Sequence, residues 1–532
     1  MTASLRAVRA LLLLGGFYLL GVLLLTAVLV ADWLLLTNPL VTWSGYLMLG
    51  VVFASVMLAI PVLRGMVAFL RAGRRLLGPD GHPAAPEEQP ALWAEVRKAA
   101  ETAGTRAPDE LFLDADVNAA VAEQARLLGL RPGRRRLYLG VPLLAGLTVP
   151  ELRAVLAHEF GHFGNHDTRL AGVVMRGRVA VLHTVDAFRV HSSGAHVAIG
   201  NLYVRYARFL LSATRSVGRR QELAADELSA RHAGRDTTAA VLRRFPVLDA
   251  AHDHYVEAYA RLGVPAKALP PVGELHGGFL RLLAARSPEA LTALAAARRP
   301  RRPSPYDSHP PMSERVALVE ALPDDGMPHD PGAAPAWSLL RDPDGVLAAL
   351  ESSTLPAVVA GMRRLDWPEL VMARSVADAA RWAEPLRTAV RRALRAAAPP
   401  SAPGGPDGEG GRSDPPELGD VLDAIDAGLL WMEVADRMPK PAQASRLTGL
   451  SARNFIRPAV WDGLAGLVYL HLVAGNLARP DIAWSGTAGL ALPEEWETGM
   501  DAAIDAAVDD TPDTAALRRL LAGSCRSGRA VG

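Results

Sequence analysis

Two long apolar runs near the start of the chain limit its fold more than any other feature. They cover residues 10–31 and 44–63. Each is close to the ~20 residues that a helix needs to cross a ~30 Å hydrocarbon layer. A cleaved signal peptide is the alternative for the first run, but no convincing small-residue cleavage site follows it and a second run begins at once. The runs therefore predict an N-terminal transmembrane helical hairpin.

The distribution of arginines predicts how this hairpin is oriented. Arg6 and Arg9 precede the first run, and Arg64 with three further arginines follows the second, whereas the connecting residues 32–42 contain no Lys or Arg. Positive charge is enriched on the cytoplasmic side of membrane proteins. We therefore expect a multi-pass protein of the cell membrane with both termini and the domain after the hairpin in the cytoplasm.

Residues 158–162 carry a His-Glu-x-x-His motif, which predicts the chemistry. On a helix, the spacing of four residues puts His158 and His162 on one face, where two imidazoles bind one Zn²⁺, and Glu159 lies beside the metal as a general base. The helix is expected independently, because a Ser/Thr-x-x-Glu capping box begins at Thr148. The motif thus predicts a zinc hydrolase centre.

A centre of this type needs a third ligand from another element, and Glu222 is the best candidate. Asp226 follows four residues later on the same predicted helix, where it would accept the second ring N–H of a metal-bound histidine and fix its tautomer. Competing ligands are His166, Glu227 and His232. His166 is disfavoured because three ligands from one straight helix surround a tetrahedral metal poorly.

In these motifs and in their order, the chain resembles the membrane-anchored zinc metallopeptidases that include the HtpX heat-shock protease and the CaaX prenyl endopeptidases. The resemblance extends from about residue 90 to residue 320. The segments that carry it are 117–120, 137–140, 143–144, 158–167, 222–226 and 307–311, with Arg315. Leu223 departs from the family pattern, which has an aromatic residue at that position.

The resemblance implies a fold, an activity and several residue roles. The fold would be an α+β zincin-like metallopeptidase domain with a small sheet, and the activity would be that of a zinc endopeptidase with one Zn²⁺ per chain. His309 and Arg315 would lie near the substrate and help to stabilise the oxyanion. Asn118 and Ala119 would belong to an exposed sheet edge, to which a peptide substrate adds as a strand.

Composition divides the chain into regions, and the whole is expected to be mainly α-helical. Segments rich in Pro and Gly are read as linkers. The predicted regions are a transmembrane hairpin (1–77), a linker (78–90), the metallopeptidase domain (91–335), a helical accessory region (336–397), a flexible linker (398–419) and a helical C-terminal module of unknown function (420–532).

The part of the chain between the histidine motif and Glu222 leaves the number of membrane spans open. Its apolar stretches, 170–188 and 198–213, are interrupted by arginines, which are costly at the centre of a bilayer. We expect two amphipathic helices that lie against the catalytic core or the membrane surface, rather than full spans. A further helix is expected to begin at residue 221 and to carry Glu222.

Composition and charge narrow the remaining functions. A net charge of +1 over 532 residues gives no argument for nucleic-acid binding, and the single cysteine, Cys525, offers no intrachain disulfide. The expected partners are protein or peptide substrates and the lipid bilayer. The family resemblance implies a role in quality control or processing of membrane proteins. Alternatives are a CaaX-type prenyl protease, a non-catalytic zinc-stabilised scaffold, which has no need of Glu159, and a transport or signalling protein. The sequence leaves the oligomeric state open.

Overall fold

The computed structural model of the protein describes residues 3–39, 44–72, 81–126, 131–164, 181–182, 194–298, 310–397, 415–448 and 451–527. The described chain is mostly helical with small sheets, as the sequence predicts. It divides into two compact units. The first comprises residues 1–253 and 286–355, and the second comprises residues 254–285 and 356–532.

Two long apolar helices open the first unit, α1 (Ala3–Leu36) and α2 (Gly45–Ala72). They contain stretches of 22 and 20 residues that are long and apolar enough to cross a membrane. Many of their large apolar side chains are exposed, which suits a membrane environment. The helices pack against each other, and the Ser55 hydroxyl donates a hydrogen bond to the Asp32 carboxylate. The predicted pair of apolar helices is confirmed.

A four-stranded sheet follows the apolar helices. Its strands are β1 (Gly81–Pro83), β2 (Glu110–Asp114), β3 (Ala119–Arg126) and β4 (Arg131–Gly140). They are arranged in the order β1-β2-β4-β3, with β2 parallel to β4 and the other pairs antiparallel. Leu113 and Leu139, which are paired across β2 and β4, are fully buried. Strand β3 is the outermost strand on one side.

Helix α5 (Val149–Gly164) carries the histidine motif, and α4 (Val141–Gly146) precedes it. The predicted capping box is confirmed: the Thr148 amide donates to the Glu151 carboxylate at 2.7 Å, and the Glu151 amide donates to the Thr148 hydroxyl at 3.4 Å. Helix α5 packs against α3 (Pro90–Thr102) and strand β3. The helix therefore stands between the sheet edge and the rest of the unit.

Helix α6 (Gly194–Ala233) is a single helix of 40 residues. The sequence predicts separate helices at 198–213 and from residue 221, but the structure joins them. A single glycine, Gly218, is the strongest helix breaker between the two segments, and one glycine inside a helix is tolerated at a cost of about 1 kcal/mol. The predicted helix at 170–188 lies outside the described residues, apart from 181–182.

The first half of α6 packs against the two apolar helices. The Tyr203 ring meets Phe17 of α1 edge-on, with ring centroids 5.1 Å apart, and the Tyr206 hydroxyl donates to the Leu13 carbonyl at 3.0 Å. The second half packs against α5. One helix thus contacts both the apolar hairpin and the helix of the histidine motif.

The remaining helices of the first unit complete its core. They are α7 (Arg235–Tyr255), which ends at the unit boundary, α9 (Pro288–Ala297), α10 (Met312–Glu320) and α11 (Pro343–Thr354). Helix α10 packs against α6. Val316 and Val319 of α10 share a buried apolar cluster with Leu242 of α7.

The second unit is built around two long helices. Its main helices are α8 (Glu274–Ala285), α13 (Trp367–Ala397), α14 (Leu418–Asp426), α16 (Arg453–Ala474), α17 (Glu494–Ala507) and α18 (Ala515–Ser527), with short helices α12 (Ala357–Ala360) and α15 (Ala435–Arg437). Short strands pair as β5 (Ala268–Leu269) with β6 (Arg363–Arg364) and as β7 (Arg479–Asp481) with β8 (Gly489–Ala491). Helix α13 packs closely on α16, because Gly463 and Gly466 leave no side chain between them.

The compact units divide the chain at different residues from the predicted regions. The predicted accessory region 336–397 contributes to both units, since α13 shares its core with the C-terminal helices. Residues 254–285, predicted within the metallopeptidase domain, pack in the second unit, where β5 pairs with β6 and Tyr259 stacks on Trp484. These contacts join segments far apart in sequence, which composition does not reveal.

Candidate functional site

The two histidines of α5 lie one helical turn apart and project from the same face. Their ring centroids are 5.0 Å apart and the rings are nearly perpendicular, at 86°. His158 is buried and His162 is half-buried. The helix that carries them is anchored by Leu156 and Phe160, which are fully buried. The sequence prediction that both rings share one face of a helix agrees with this geometry.

Glu222 of α6 brings a carboxylate to the same point. Its Oε2 lies 3.7 Å from His158 Nε2, and its Oε1 lies 3.7 Å from His162 Nε2. Ligand atoms of all three residues lie within 4.8 Å of one another. A Zn–N or Zn–O bond is about 2.1 Å long, so one ion is able to reach all three side chains. Among the described residues, these three form the one group of His, Cys, Asp or Glu side chains close enough to hold a metal.

Close contact between α5 and α6 makes this convergence possible. Gly161 lies between the two histidines and faces α6. A methyl group at Gly161 would stand 3.1 Å from the Ala225 Cα and 3.2 Å from the Leu228 side chain. Such distances are tighter than an ordinary van der Waals contact, so a larger residue would push the helices apart. The absence of a side chain at Gly161 thus helps to set the distance between the histidines and Glu222.

Asp226 lies one turn after Glu222 and contacts the buried side of His158. Its Oδ1 is 3.0 Å from His158 Nδ1, and the side chain is almost fully buried. Burial alone would raise the pKa of Asp226, but hydrogen bonds from Arg315 and His158 outweigh it and hold this pKa at about 2. An ionised Asp226 favours a proton on Nδ1 of His158, which leaves the lone pair of the ring on Nε2.

Arg315 of α10 completes the buried charge network. Its Nε and Nη2 donate to the two oxygens of Asp226 at 2.9 and 2.6 Å, and Nη1 lies 3.6 Å from Glu222 Oε2. Burial would lower the pKa of Arg315, but the hydrogen bond and charge of Asp226, with the charges of Glu222 and Glu159, raise it. The whole residue is 4% exposed. It therefore contacts the acidic groups from within the protein.

Glu159 is the remaining carboxylate of the motif. It directly follows His158 on α5 and is half-buried, so its side chain retains access to solvent, unlike Glu222. A glutamate adjacent to a metal-binding histidine in this motif is placed to accept a proton from water. The site thus contains two buried carboxylates beside the histidines, Glu222 and Asp226, and one that solvent reaches.

Strand β3 approaches the site from the sheet. Asn118 immediately precedes the strand and Ala119 is its first residue. The Asn118 carbonyl accepts a hydrogen bond from the Gly140 amide at 2.7 Å, which fixes the start of β3 against β4. Because β3 is the outermost strand of its sheet and packs against α5, the predicted substrate edge lies beside the helix of the histidine motif.

The competing ligands are described only in part. Glu227 is exposed, and His232 contacts the backbone of Thr102. Neither belongs to the group of side chains that can hold a metal. His166 and His309 lie outside the described residues, so the predicted substrate contact by His309 stays a prediction.

Sequence reasoning missed three features of the site. They are the close helix contact at Gly161, the pairing of Arg315 with Asp226, and an ion pair between Arg219 of α6 and Glu314 of α10. A glycine inside an otherwise helical motif is a sequence signal for close packing. The ion pairs leave no such signal, because their partners are separated by about ninety residues.

Two histidines and a glutamate that surround one point, with a second glutamate beside the first histidine, define a centre of the metallopeptidase class. The comparison with known families agrees with this class. Residues 86–322 match the model of peptidase family M48.

One curated relative gives a more specific comparison. The chain is 34% identical over 97 residues to Protease HtpX homolog 1 of Saccharolobus solfataricus. The match covers 18% of this chain, and it spans only 30% of the length of that relative. No solved structure matches the chain.

Proposed function

We propose that this protein is a membrane-anchored zinc endopeptidase. The observation that carries the proposal is the convergence of His158, His162 and Glu222 on one point, with Glu159 on the adjacent, solvent-accessible position of α5. The match of residues 86–322 to the model of peptidase family M48 supports the same reaction class. The substrates would be proteins or peptides.

The donor set fits Zn²⁺. Two imidazoles and one carboxylate are the ligands that many catalytic zinc sites use, and they leave a fourth position open for water or substrate. When bound, zinc supplies a Lewis acid that lowers the pKa of water and polarises a carbonyl oxygen. One ion per chain is expected, since the described residues offer one suitable group of ligands.

Individual residues of the chain supply the proton transfer and hold the metal ligands. Glu159 takes a proton from the attacking water and returns it to the leaving amine. Asp226 holds the Nδ1 proton of His158, so that Nε2 stays available as a ligand atom. Glu222 is buried at the same point, and its negative charge adds to the affinity for a divalent cation.

The substrate is proposed to bind as an extended strand along β3. Asn118 and Ala119 stand where this strand begins, next to α5. Backbone hydrogen bonds to an edge strand hold a peptide without reading every side chain. A series of substrate peptides, each N-methylated at one internal amide, tests this mode. Methylation at alternate positions should weaken binding relative to the unmethylated peptide, whereas methylation at the intervening positions should have little effect. Equal effects at all positions would contradict strand addition.

The apolar hairpin is proposed to anchor the domain on the cytoplasmic side of the cell membrane, where it would act in quality control or processing of membrane proteins. The orientation is testable with single cysteines and a membrane-impermeant maleimide in intact cells. In a Cys525→Ala background, Asn38→Cys in the exposed turn after α1 should be labelled from outside. The wild-type chain, whose single cysteine is Cys525, should be labelled only after lysis. The reverse pattern would contradict the proposed topology.

Metal content and hydrolysis test the active site directly. Wild type, Glu159→Gln, Glu222→Gln and the control Glu227→Gln are purified in detergent as full-length chains. Glu227 is the exposed carboxylate next along α6 after Asp226, so its variant controls for charge loss on that helix. Bound zinc and cleavage of unfolded casein are measured for each protein.

The expected pattern separates the two roles. Wild type and Glu227→Gln bind about one zinc and cleave, Glu159→Gln retains zinc without cleavage, and Glu222→Gln loses most of its zinc. A wild type that binds zinc but cleaves no substrate would favour the scaffold interpretation. Loss of cleavage in Glu227→Gln equal to that in Glu222→Gln would contradict the assignment of Glu222.

A further inference from the structure

Two ion pairs of opposite polarity join α10 to α6 on either side of Glu222. Arg219 of α6 pairs with Glu314 of α10, and Asp226 of α6 pairs with Arg315 of α10. The three α6 positions are separated by three and then four residues, so they lie on one face of the helix. Helix α10 therefore contacts the face of α6 that carries the candidate third ligand.

The order of the charges makes this contact specific in register. Along α6 the positive partner comes first and the negative partner follows Glu222, while α10 presents its negative residue first and its positive residue next. If α10 were rotated and shifted so that Glu314 took the place of Arg315, Glu314 would lie beside Asp226, and the two carboxylates would repel each other. The pairs thus favour one placement of α10 on α6.

Arg315 reaches His158 both directly, with Nη2 3.3 Å from each ring nitrogen, and through Asp226. The guanidinium holds both carboxylate oxygens of Asp226, one of which lies 3.0 Å from His158 Nδ1. A planar, two-point contact of this kind fixes the carboxylate in orientation as well as in charge. The side chain of Arg315 is 4% exposed, so it offers little surface to a substrate.

We propose that α10 is a positioning element for the metal ligands. Arg315 orients Asp226 and the ring of His158, which it contacts directly and through that carboxylate. The Arg219–Glu314 pair fixes the turn of α6 that precedes Glu222. Arg315 is then a positioning residue that contacts no substrate. The inference rests on the proposed metal centre and adds a determinant of metal affinity from outside the ligand set.

Zinc affinity of the full-length protein in detergent tests this role without any substrate. Affinity is measured by competition with a chromophoric chelator for wild type, Arg315→Lys and Arg315→Met. We expect Arg315→Met to weaken zinc binding about 10- to 100-fold, as loss of outer partners of metal-bound groups commonly does. Arg315→Lys should fall in between, because an ammonium cannot reproduce the two-point contact.

The same variants distinguish positioning from a direct action on the substrate. Peptide-cleavage kinetics with excess zinc should show KM within about threefold of wild type for Arg315→Lys. Unchanged zinc affinity in both variants, with a loss confined to kcat, would overturn the positioning role and favour oxyanion stabilisation by Arg315. A folded Arg315→Met that binds zinc as wild type does would be sufficient to reject the proposal.

The second ion pair is tested by exchanging its charges. Arg219→Glu and Glu314→Arg are each expected to weaken zinc binding severalfold, and the double exchange should restore it to within about threefold of wild type. The control is the pair Arg243–Glu320, which joins the same helix α10 to α7 rather than to α6. Its single variants should leave zinc affinity unchanged. Equal losses in both sets of singles, or no recovery in the Arg219 and Glu314 double variant, would contradict the proposal.

These outcomes are separate from those of the proposed activity. If wild type binds zinc but cleaves nothing, the endopeptidase proposal fails, while the zinc affinities still decide the role of α10. If wild type binds no zinc, the ligand set and the positioning role are both rejected. If the described order of affinities is found together with cleavage, both proposals are supported.

Discussion

Asp226 is the point at which the buried network is most sensitive to a small change. Replacing it with asparagine preserves the shape of the side chain but removes its charge and turns one acceptor into a donor. Oδ1 of Asp226 accepts from Arg315 Nη2 at 2.6 Å and lies 3.0 Å from His158 Nδ1, while Oδ2 accepts from Arg315 Nε at 2.9 Å. Asparagine cannot satisfy all three contacts.

The size of the effect follows from the better of two amide orientations. If the amide oxygen of the new side chain faces His158, the NH₂ group faces Arg315 Nε. Two donors then meet, and one charge-assisted hydrogen bond is lost. Hydrogen bonds to charged groups contribute about 1.5–3 kcal/mol. With the NH₂ towards His158, Nδ1 has to accept, and the ring proton moves to Nε2, the nitrogen needed by the metal. We therefore expect zinc to bind about 10- to 100-fold more weakly, or about 1.4–2.8 kcal/mol.

Chelator competition at fixed pH and salt measures this change for Asp226→Asn. The matched control is Asp236→Asn, because Asp236 also pairs with an arginine but stands at the start of α7 and outside the candidate metal ligands. Asp226→Ala should in addition lower thermal stability by about 3–5 kcal/mol, since it leaves Arg315 buried without the carboxylate to which it donates two hydrogen bonds. A zinc affinity of Asp226→Asn within twofold of wild type would refute the reasoning.

Three further outcomes are expected from local geometry. Burial raises the pKa of Asp114 to about 7, so this group stabilises the fold most below about pH 4 and loses that contribution as the pH rises through 7. Asp114→Asn should flatten this pH dependence of thermal unfolding, and an unchanged slope would contradict the burial argument. Gly161→Leu, which has to displace Ala225 of α6, should abolish zinc binding, whereas Gly161→Ala should weaken it only severalfold; equal affinities would show that helix separation does not set the site. A leucine at Gly21 would collide with the Tyr203 hydroxyl and the side chain of Met66. Gly21→Leu should therefore destabilise the packing of α1 on α6 and speed proteolysis in detergent, and resistance equal to that of wild type would contradict that contact.

Local sequence signals predicted the part of the site that lies on one helix. The capping box at Thr148 fixed where α5 begins, and the four-residue spacing then put His158 and His162 on one face. Glu222 followed from the same spacing rule together with the family order of motifs. The helix geometry agrees with these expectations because each depends on the spacing of residues within one or two helical turns. The metal-binding roles stay predictions.

The sequence did not predict the contacts between distant segments of the chain. The pairing of Arg315 with Asp226 was missed because Arg315 was interpreted through its family motif, as a group near the substrate. The length of α6 was underestimated because the apolar stretch 198–213 and the charged segment from residue 221 look like two helices, although nothing between them forces a break. The composition of the two units depends on strand and ring contacts across more than ninety residues, which have no local periodicity.

The continuity of α6 has a structural consequence for the site. Tyr203 packs on Phe17 of the apolar hairpin, and Glu222 lies on the same helix about 28 Å farther along, at 1.5 Å per residue. Both contacts belong to one compact unit. A continuous helix transmits displacement along its axis with little bending unless a kink interrupts it. A displacement of α6 along its axis at the hairpin would therefore move Glu222 relative to the histidines of α5. The α10 ion pairs and the close contact at Gly161 oppose such a displacement, and these are the contacts that the proposed variants weaken.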